Sequence, residues 1–368
     1  LFQLGLREKI EAKSSEFGAA NFWRSGYGEG KWRWLNGIKN ATWRRDLRSG
    51  WRIIERRDLQ DVILGRVREL GGDIVWGRRA IGVEESGGGK MGVLFGDGGS
   101  VEVDLVVGAD GGWSEVRKSI LKKRGIRGER WEPPFMGQTG FYGISALGEG
   151  VEKGEAWDST HGVWLDRGNL STSPLPGGKI RWDLILPEKT PPTPSAISNQ
   201  ESFNEGKGWE SKIAPGVYPK SETIAILRQH MGIYHPVTGT FGNMLAASTR
   251  IIRTPLRQQV WEKEEIQCGN VVLIGDASRL MLPSSGQGTA FAIEDATVLA
   301  NCLLNNPPEG NSFKKALEAY ADARFPRSKR MATMAYYAGL LGQGGRWYWR
   351  LMRDYGTAWF LRGEDGKL

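Results

Sequence analysis

The sequence predicts an α/β domain interrupted by a mostly antiparallel second domain and followed by carboxy-terminal helices. Two stretches carry the α/β part. "LVVGADGGWSEVRKSI" and "VVLIGDASRLMLPSSGQGTAFAIEDA" each run from a continuous apolar strand through Gly and Asp into a helical pattern, as strands covered on both faces do. Between them lie separated short runs such as "GQTGFYGIS", "GVWLD" and "KIRWDLILP", rich in turns, which read as antiparallel strands. The boundaries so predicted are 1–131 with 255–310 for the first domain, 132–254 for the second and 311–368 for the helices.

Taken in order, residues 1–12 form an amphipathic helix pattern. "GYGEGKWRWLNGIKNATWRRDLRSG" is a Gly- and Trp-rich stretch of short strands or loops. "RRDLQDVILGRVRELGG" sets Leu59, Val62, Ile63, Val67 and Leu70 at helical spacing, with Gly71-Gly72 as the stop. "AIGVEES", "MGVLFG" and "SVEVDLVVGAD" follow as three strands, separated by Gly87-Gly88-Gly89-Lys90 and Asp97-Gly98-Gly99. The Pro/Ser/Asn-rich run "PEKTPPTPSAISNQESFNEGKGWESKIAPG" reads as a mobile loop. Pro326 marks a kink or boundary between two terminal helices.

Composition narrows the function classes. With 368 residues, 39% apolar content and a formal charge of +8, the chain can bury ordinary cores. The charge comes from Lys and Arg spread throughout, without a basic block or nucleic-acid motif. It leaves open an anionic ligand, acidic partners or nothing specific. Cys268 and Cys302 belong to no CxxC or Cys/His cluster, so a reducing, cytoplasmic setting is expected. No apolar run approaches ~18 residues, and the amino end lacks the pattern of a signal peptide. His161, His230 and His235 have no metal-ligand spacing. Ser284-Ser285 lack a nucleophile elbow and read as helix caps; Glu294-Asp295 are adjacent on a helix and read as solvated or capping. The 16 tryptophans suit either an aromatic substrate cavity or core packing. The "GRWYWRLMRDYGTAWFL" end suits packing on the protein better than a membrane surface.

The two strand–turn–helix units hold the candidate site. A carboxylate at a strand tip can accept hydrogen bonds from ribose hydroxyls, and glycine amides at a helix start favour an electron-rich atom. Asp110 and Asp276, with Gly286-Gln287-Gly288-Thr289, would hold one nucleotide at both ends. "GADGGWSEVR" resembles a DGxxSxxR-type motif, and "GDASRLMLPSSGQGTAFAIEDA" resembles GDAAHxxxPxxGQGxxxxxEDA. Both motifs belong to the FAD-dependent aromatic-ring monooxygenases of the para-hydroxybenzoate hydroxylase superfamily, and the salicylate hydroxylase-like fungal branch is the most similar. "RRDLQDVIL" and the R-x-P-R of Arg324 to Arg327 extend the likeness over most of the chain.

The resemblance implies a Rossmann-like FAD domain with an inserted substrate domain. It also implies reduction of FAD by NAD(P)H and oxygen transfer to an aromatic or polyketide-like small molecule. By motif position Arg56 would reach the FAD pyrophosphate and ribityl region, and Asp276 the ribityl or phosphate part. Gly286, Gln287, Gly288 and Thr289 would lie beside the isoalloxazine pyrimidine ring, Pro283 near the flavin's reactive face, and Asp110 and Arg117 near FAD and the nicotinamide cofactor. No catalytic acid or base and no metal site is implied. Arg279 stands where the family commonly has histidine. The opening βαβ unit with GxGxxG is missing. The one literal match, Gly87 to Gly92, reads as a hairpin turn. Loss of that unit is expected to expose an internal sheet edge beside Val271 to Ile274 and to weaken FAD binding. A truncated or non-catalytic remnant is the alternative, and an epoxidase, Baeyer–Villiger enzyme or oxidase would use the same scaffold.

Overall fold

Alternation of buried and accessible side chains along "KIRWDLILP" sets the plan of the first unit. In the computed structural model Ile180, Trp182, Leu184 and Leu186 point into a core while Arg181, Asp183 and Ile185 point the other way, the period-two pattern of a sheet with one packed face. The structure describes residues 1, 4–25, 32–39, 50–126, 128–147, 157–192 and 207–360. They divide into two units. One comprises Leu1–Asp73, Gly137–Pro255 and Leu340–Leu368; the other comprises Ile74–Met136 and Leu256–Gly339.

The first unit is built on a seven-stranded sheet. Its order is Ser248–Arg257, Phe135–Ala146, Lys179–Pro187, Asn169–Leu175, Ser159–Trp164, Ala19–Ser25 and Trp32–Lys39. The pairing of Ser159–Trp164 with Ala19–Ser25 is parallel. That pairing moves residues 1–73 out of the domain predicted for 1–131, because the strands Ala19–Ser25 and Trp32–Lys39 complete the sheet of the second predicted domain. Helices Lys220–His230 and Phe241–Ala246 bring Leu227, Phe241, Met244 and Leu245 onto the packed face. Trp182, fully buried, meets Phe241 edge-on at 5.1 Å, and its indole N–H lies within reach of the Ser145 and Ser248 hydroxyls. A side chain at Gly143 would collide with its ring.

The predicted helix is present as Arg56–Glu69, with Leu59 and Val62 buried and Gly71 in the left-handed region at φ 77°. Leu70, expected on its apolar stripe, is exposed. The terminal helix Trp347–Phe360 packs on the protein through Arg353, which is fully buried beside Asp354 and 5.4 Å from the Trp164 ring centre. The helix Lys314–Gln343 is continuous across Pro326. A proline removes one backbone donor, and the turns on either side carry the helix through. Trp43, and residues 193–206 of the Pro/Ser/Asn-rich run, lie outside the described residues.

Among the described residues the second unit holds three small sheets, one of them the short pairing of Gln259–Val260 with Arg279–Leu280. Ala80–Glu85, Met91–Phe95 and Ser100–Val103 form the predicted meander, and Gly87, Gly88 and Gly89 all have positive φ in the first hairpin. "SVEVDLVVGAD" is two strands rather than one. After Val103 the chain breaks, and Val106–Gly108 joins a different sheet in the order Gln267–Cys268, Val271–Leu273, Val106–Gly108. This places the sheet edge elsewhere than expected. Val271–Leu273 is paired on both sides, antiparallel to Gln267–Cys268 and parallel to Val106–Gly108. The sheet's edges fall on Gln267–Cys268 and on Val106–Gly108, where Val107 is 40% exposed.

Two of the scattered histidines meet inside the first unit. His161 and His235 are buried with ring centres 5.6 Å apart. His161 Nδ1 accepts the Trp23 indole N–H at 3.1 Å, and His235 Nδ1 faces the Val237 and Thr238 amides. With that nitrogen accepting, His235 Nε2 carries the proton, 2.8 Å from the Thr172 hydroxyl. Burial, with His161 alongside, pushes the His235 pKa well below its ordinary 6.5. The unfolded chain therefore takes up this proton first as pH falls. The stability difference is absent above pH 6.5 and grows below it, by at most about 1.4 kcal/mol per pH unit. Urea denaturation between pH 8 and pH 5 should show a shallower acid loss in His235→Gln than in the wild type.

Candidate cofactor site

The chain leaves the buried strand Val271–Leu273 and turns at Gly275, whose φ of 58° is open to glycine, into the short helical turn Gly275–Ala277. Gly275 and Ala277 are buried; Asp276 is exposed. Charged side chains hold the backbone on both sides of Asp276. The Gly275 N–H donates to Asp295 Oδ2 at 2.8 Å, and the Ala277 carbonyl accepts from the Arg117 guanidinium at 2.8 Å. The strand tip is thereby fixed with Asp276 exposed.

Asp295 is the hub. It is fully buried on the helix Gly288–Asn305 and receives Arg279 and Arg324, each at 2.6 Å. Arg324 and Arg327 also pair with Glu294. All three guanidinium carbons lie 4.9–5.2 Å from the Phe291 ring centre, within the range of cation–π attraction. The solvated or capping reading of Glu294-Asp295 fails for Asp295. Adjacent helix positions face about 100° apart, so one carboxylate turns in while its neighbour stays at the rim. The departure at Arg279 has a structural use: its side chain reaches Asp295 as a buried ion pair.

Arg117 does not reach a surface on which a cofactor could lie, which corrects the direct contact expected of it. It is fully buried, donates to Gly112 and Trp131 carbonyls at 2.6 and 3.2 Å as well as to Ala277, and lies 3.6 Å over the Trp261 ring. Burial pushes its pKa down to about 10, so it stays charged at neutral pH. Asp110 also has an internal task. Its Oδ2 accepts the Glu115 and Val116 amides at 2.8 and 3.2 Å at the start of the helix Glu115–Lys123, while the residue remains exposed.

The second half of the site is a helix start. Pro283–Ser285 make a short turn, Gly286 adopts φ 64°, and the 18-residue helix Gly288–Asn305 begins with Gln287 as a cap whose side chain makes no capping bond. Gly286, Gln287, Gly288 and Thr289 are exposed, as is Pro283, and nothing lies within 4 Å of where a side chain would project from Gly286 or Gly288. The amides of a first helical turn have no partners within the helix. Ser284 does not cap it; its hydroxyl donates to the Ala335 carbonyl at 2.6 Å. Arg56, in the other unit, is the exposed first residue of the helix Arg56–Glu69 and has no side-chain partner among the described residues. No cluster able to hold a metal ion occurs among the described residues.

Residues 239–335, which contain this strand tip and helix start, match the family profile described as an FAD binding domain. The chain is 30% identical over 294 residues to an aurachin C monooxygenase/isomerase of Stigmatella aurantiaca and 28% identical over 308 residues to a salicylate hydroxylase of Pseudomonas putida. The chain is similar to FAD-dependent monooxygenases. The two matches cover 79% of this chain, and the chain spans 64% and 63% of those curated relatives. Its fold matches that of Klebsiella pneumoniae HpxO, solved with FAD and uric acid, with a TM-score of 0.74 at 19% identity over 97% of this chain and 80% of the other. It also matches 2,6-dihydroxypyridine-3-hydroxylase from Arthrobacter nicotinovorans, with a TM-score of 0.70 at 19% identity over 94% and 81%. These likenesses show the fold. Among the described residues no helix is long and apolar enough to cross a membrane.

The residues missed by sequence reasoning are those that hold the turn: Asp295, Arg279 and Arg324. Their signal was present in "EDA" and R-x-P-R, but the sequence did not join them. Removing one partner of a buried ion cluster costs about 3–5 kcal/mol, whereas an exposed polar substitution stays within about 0.5 kcal/mol. Urea denaturation should therefore show Asp295→Asn destabilised by about 3 kcal/mol or more and Asp276→Asn close to the wild type.

Proposed function

We propose that the chain carries the catalytic parts of an FAD- and NAD(P)H-dependent monooxygenase acting on a small aromatic or polyketide-like molecule. The observation that carries this reading is the pair formed by an exposed acidic residue on a pinned turn, Asp276, and the open, uncapped helix start Gly286–Thr289. The residues fit a flavin. Asp276 would accept hydrogen bonds from ribityl hydroxyls, and the amides after Gly286 would donate to an electron-rich ring edge. Glycine at 286 and 288 leaves room for a flat ring to approach the backbone. Pro283, which has no N–H, would offer an apolar contact, and the accessible part of Asp110 would serve the nucleotide.

Bound FAD would supply the redox chemistry, with NAD(P)H as reductant and dioxygen as oxidant. One oxygen atom enters the substrate and the other leaves as water. The protein's own part is to bind, orient and keep water out. No side chain is assigned as acid or base. The relatives whose names state an aromatic substrate, among them salicylate hydroxylase and the 6-methylsalicylate 1-monooxygenase of Aspergillus terreus, support the substrate class. A second reading, a remnant that does not hold FAD tightly, is favoured by one feature. The literal GxGxxG match, Gly87 to Gly92, is a hairpin turn without a helix and offers no pyrophosphate cradle.

Titration of the purified chain with FAD, followed by flavin absorbance and fluorescence, separates the two. Saturable binding that Asp276→Asn weakens about tenfold or more, the loss of a hydrogen bond to a charged group, supports the enzyme. NAD(P)H consumption with an aromatic product heavier by one oxygen would complete the assignment. A chain that stays colourless, even when extended by a family-type βαβ unit, would leave the enzyme reading without support.

A further inference from the structure

We propose that the sheet face opposite the core of the first unit bears a substrate-selecting row, Tyr142, Asp183 and Ser171, which takes the hydrogen-bond-donating edge of a small aromatic molecule and disfavours aromatic carboxylates. This deepens the proposed function and rests on its aromatic substrate class.

Register makes the row. Asp183 stands directly opposite Tyr142 on one side and Ser171 on the other, Ser171 opposite Gly162, and Gly162 opposite Phe22. Their neighbours along the strands, Phe141, Trp182, Leu184 and Leu170, fill the core on the other face. The row therefore crosses five adjacent strands on the face that the core does not use. Glycines shape it. The Tyr142 ring lies over Gly140, where a side chain would collide with it, and a side chain at Gly162 would come within 3.0 Å of the Phe22 ring. Phe22 in turn stacks on Trp164 at 6.1 Å and 12°. Aromatic rings thus flank a polar floor of Asp183, Ser171 and Gly162. With strands about 4.8 Å apart, that floor is about 10 Å wide, the span of one substituted ring.

The floor has hydrogen-bonding capacity that the protein leaves unused. Arg181 donates to Asp183 Oδ1 through Nε at 3.1 Å, with Nη2 3.0 Å from the same oxygen as an ion pair, while Oδ2 has no partner among the described residues. The Tyr142 hydroxyl and the Ser171 hydroxyl also have none. Asp183 keeps 22% of its side chain accessible, yet the surrounding packing desolvates it and raises its pKa, against the lowering effect of Arg181. Desolvation, with Asp183 nearby, raises the Tyr142 phenol too. None of these three atoms is among the buried partnerless ones, so each is open to pairing by a ligand edge. The free atoms are a carboxylate oxygen and two hydroxyls, so the matching ligand edge is a phenol, ring N–H or amine. A ring carboxylate would meet the Asp183 charge, and the guanidinium that could attract it is already engaged with Asp183.

The full chain, without flavin or NAD(P)H, should be titrated with 3-aminophenol and with 3-hydroxybenzoate, read by calorimetry or saturation-transfer NMR. We expect 3-aminophenol to bind about tenfold or more tightly than the benzoate, a difference of about 1.4 kcal/mol. Asp183→Asn should abolish that preference, and Tyr142→Phe should weaken 3-aminophenol several-fold, with circular dichroism confirming that both variants fold. Equal or tighter binding of 3-hydroxybenzoate, binding of neither probe, or a ratio unchanged in Asp183→Asn would overturn the proposal. Because flavin takes no part, these outcomes are independent of the FAD titration: loss of flavin binding would remove the proposed reaction and leave this selectivity to be judged by itself.

Discussion

The turn that presents Asp276 stands because two buried charges grip its backbone from opposite sides. Asp295 holds the Gly275 N–H and Arg117 holds the Ala277 carbonyl. Neither grip works with a neutral, freely rotating partner. Arg117 is locked by two further carbonyls and the Trp261 face, and Asp295 by Arg279 and Arg324. A carboxylate at a strand tip is a common feature; one whose flanking peptides are both tied to buried ions is preorganised. Preorganisation lets a ligand bind without a further ordering cost.

The same network explains part of the basic excess. Arg117, Arg253, Arg279, Arg324 and Arg353 are all buried, at 5% exposure or less, so these five positive charges serve interior pairing rather than any surface field. Arg253, for instance, is held by Glu188 and Glu222 and lies 3.6 Å over the Tyr218 ring. Arginine suits such places because its planar fork can bond, stack and stay charged when desolvated. A charge of +8 read from composition therefore says little about anionic partners.

Elements governed by local pattern were legible in the sequence. The helix Arg56–Glu69, the meander with its glycine turn, and the strand-to-helix passage at Val271–Asn305 follow from apolar periodicity and glycine placement. What needed non-local pairing was not. The parallel pairing of Ala19–Ser25 with Ser159–Trp164 joins segments about 140 residues apart, and no periodicity announces it. The break after Val103 depends on which sheet takes each half of one apolar run. At the site, motif resemblance picked out the exposed residues Asp276, Pro283 and Gly286–Thr289. The inward turn of Arg117 and of Asp295 was not legible, because spacing does not reveal whether a charged side chain faces in or out. The meeting of His161 with His235, 74 positions apart, was equally beyond reach.

The most direct test is amide hydrogen exchange of the chain with and without FAD, resolved to residues 275–290. The Gly275 amide should be protected in both states, because its acceptor is a buried carboxylate, and the amides of Gln287 to Ala290 should exchange fast alone and slow when FAD is added. Protection that appears only elsewhere on FAD addition, or a Gly275 amide exchanging as freely as those of the Gly87–Gly89 hairpin, would contradict a pinned turn and helix start as the flavin's seat.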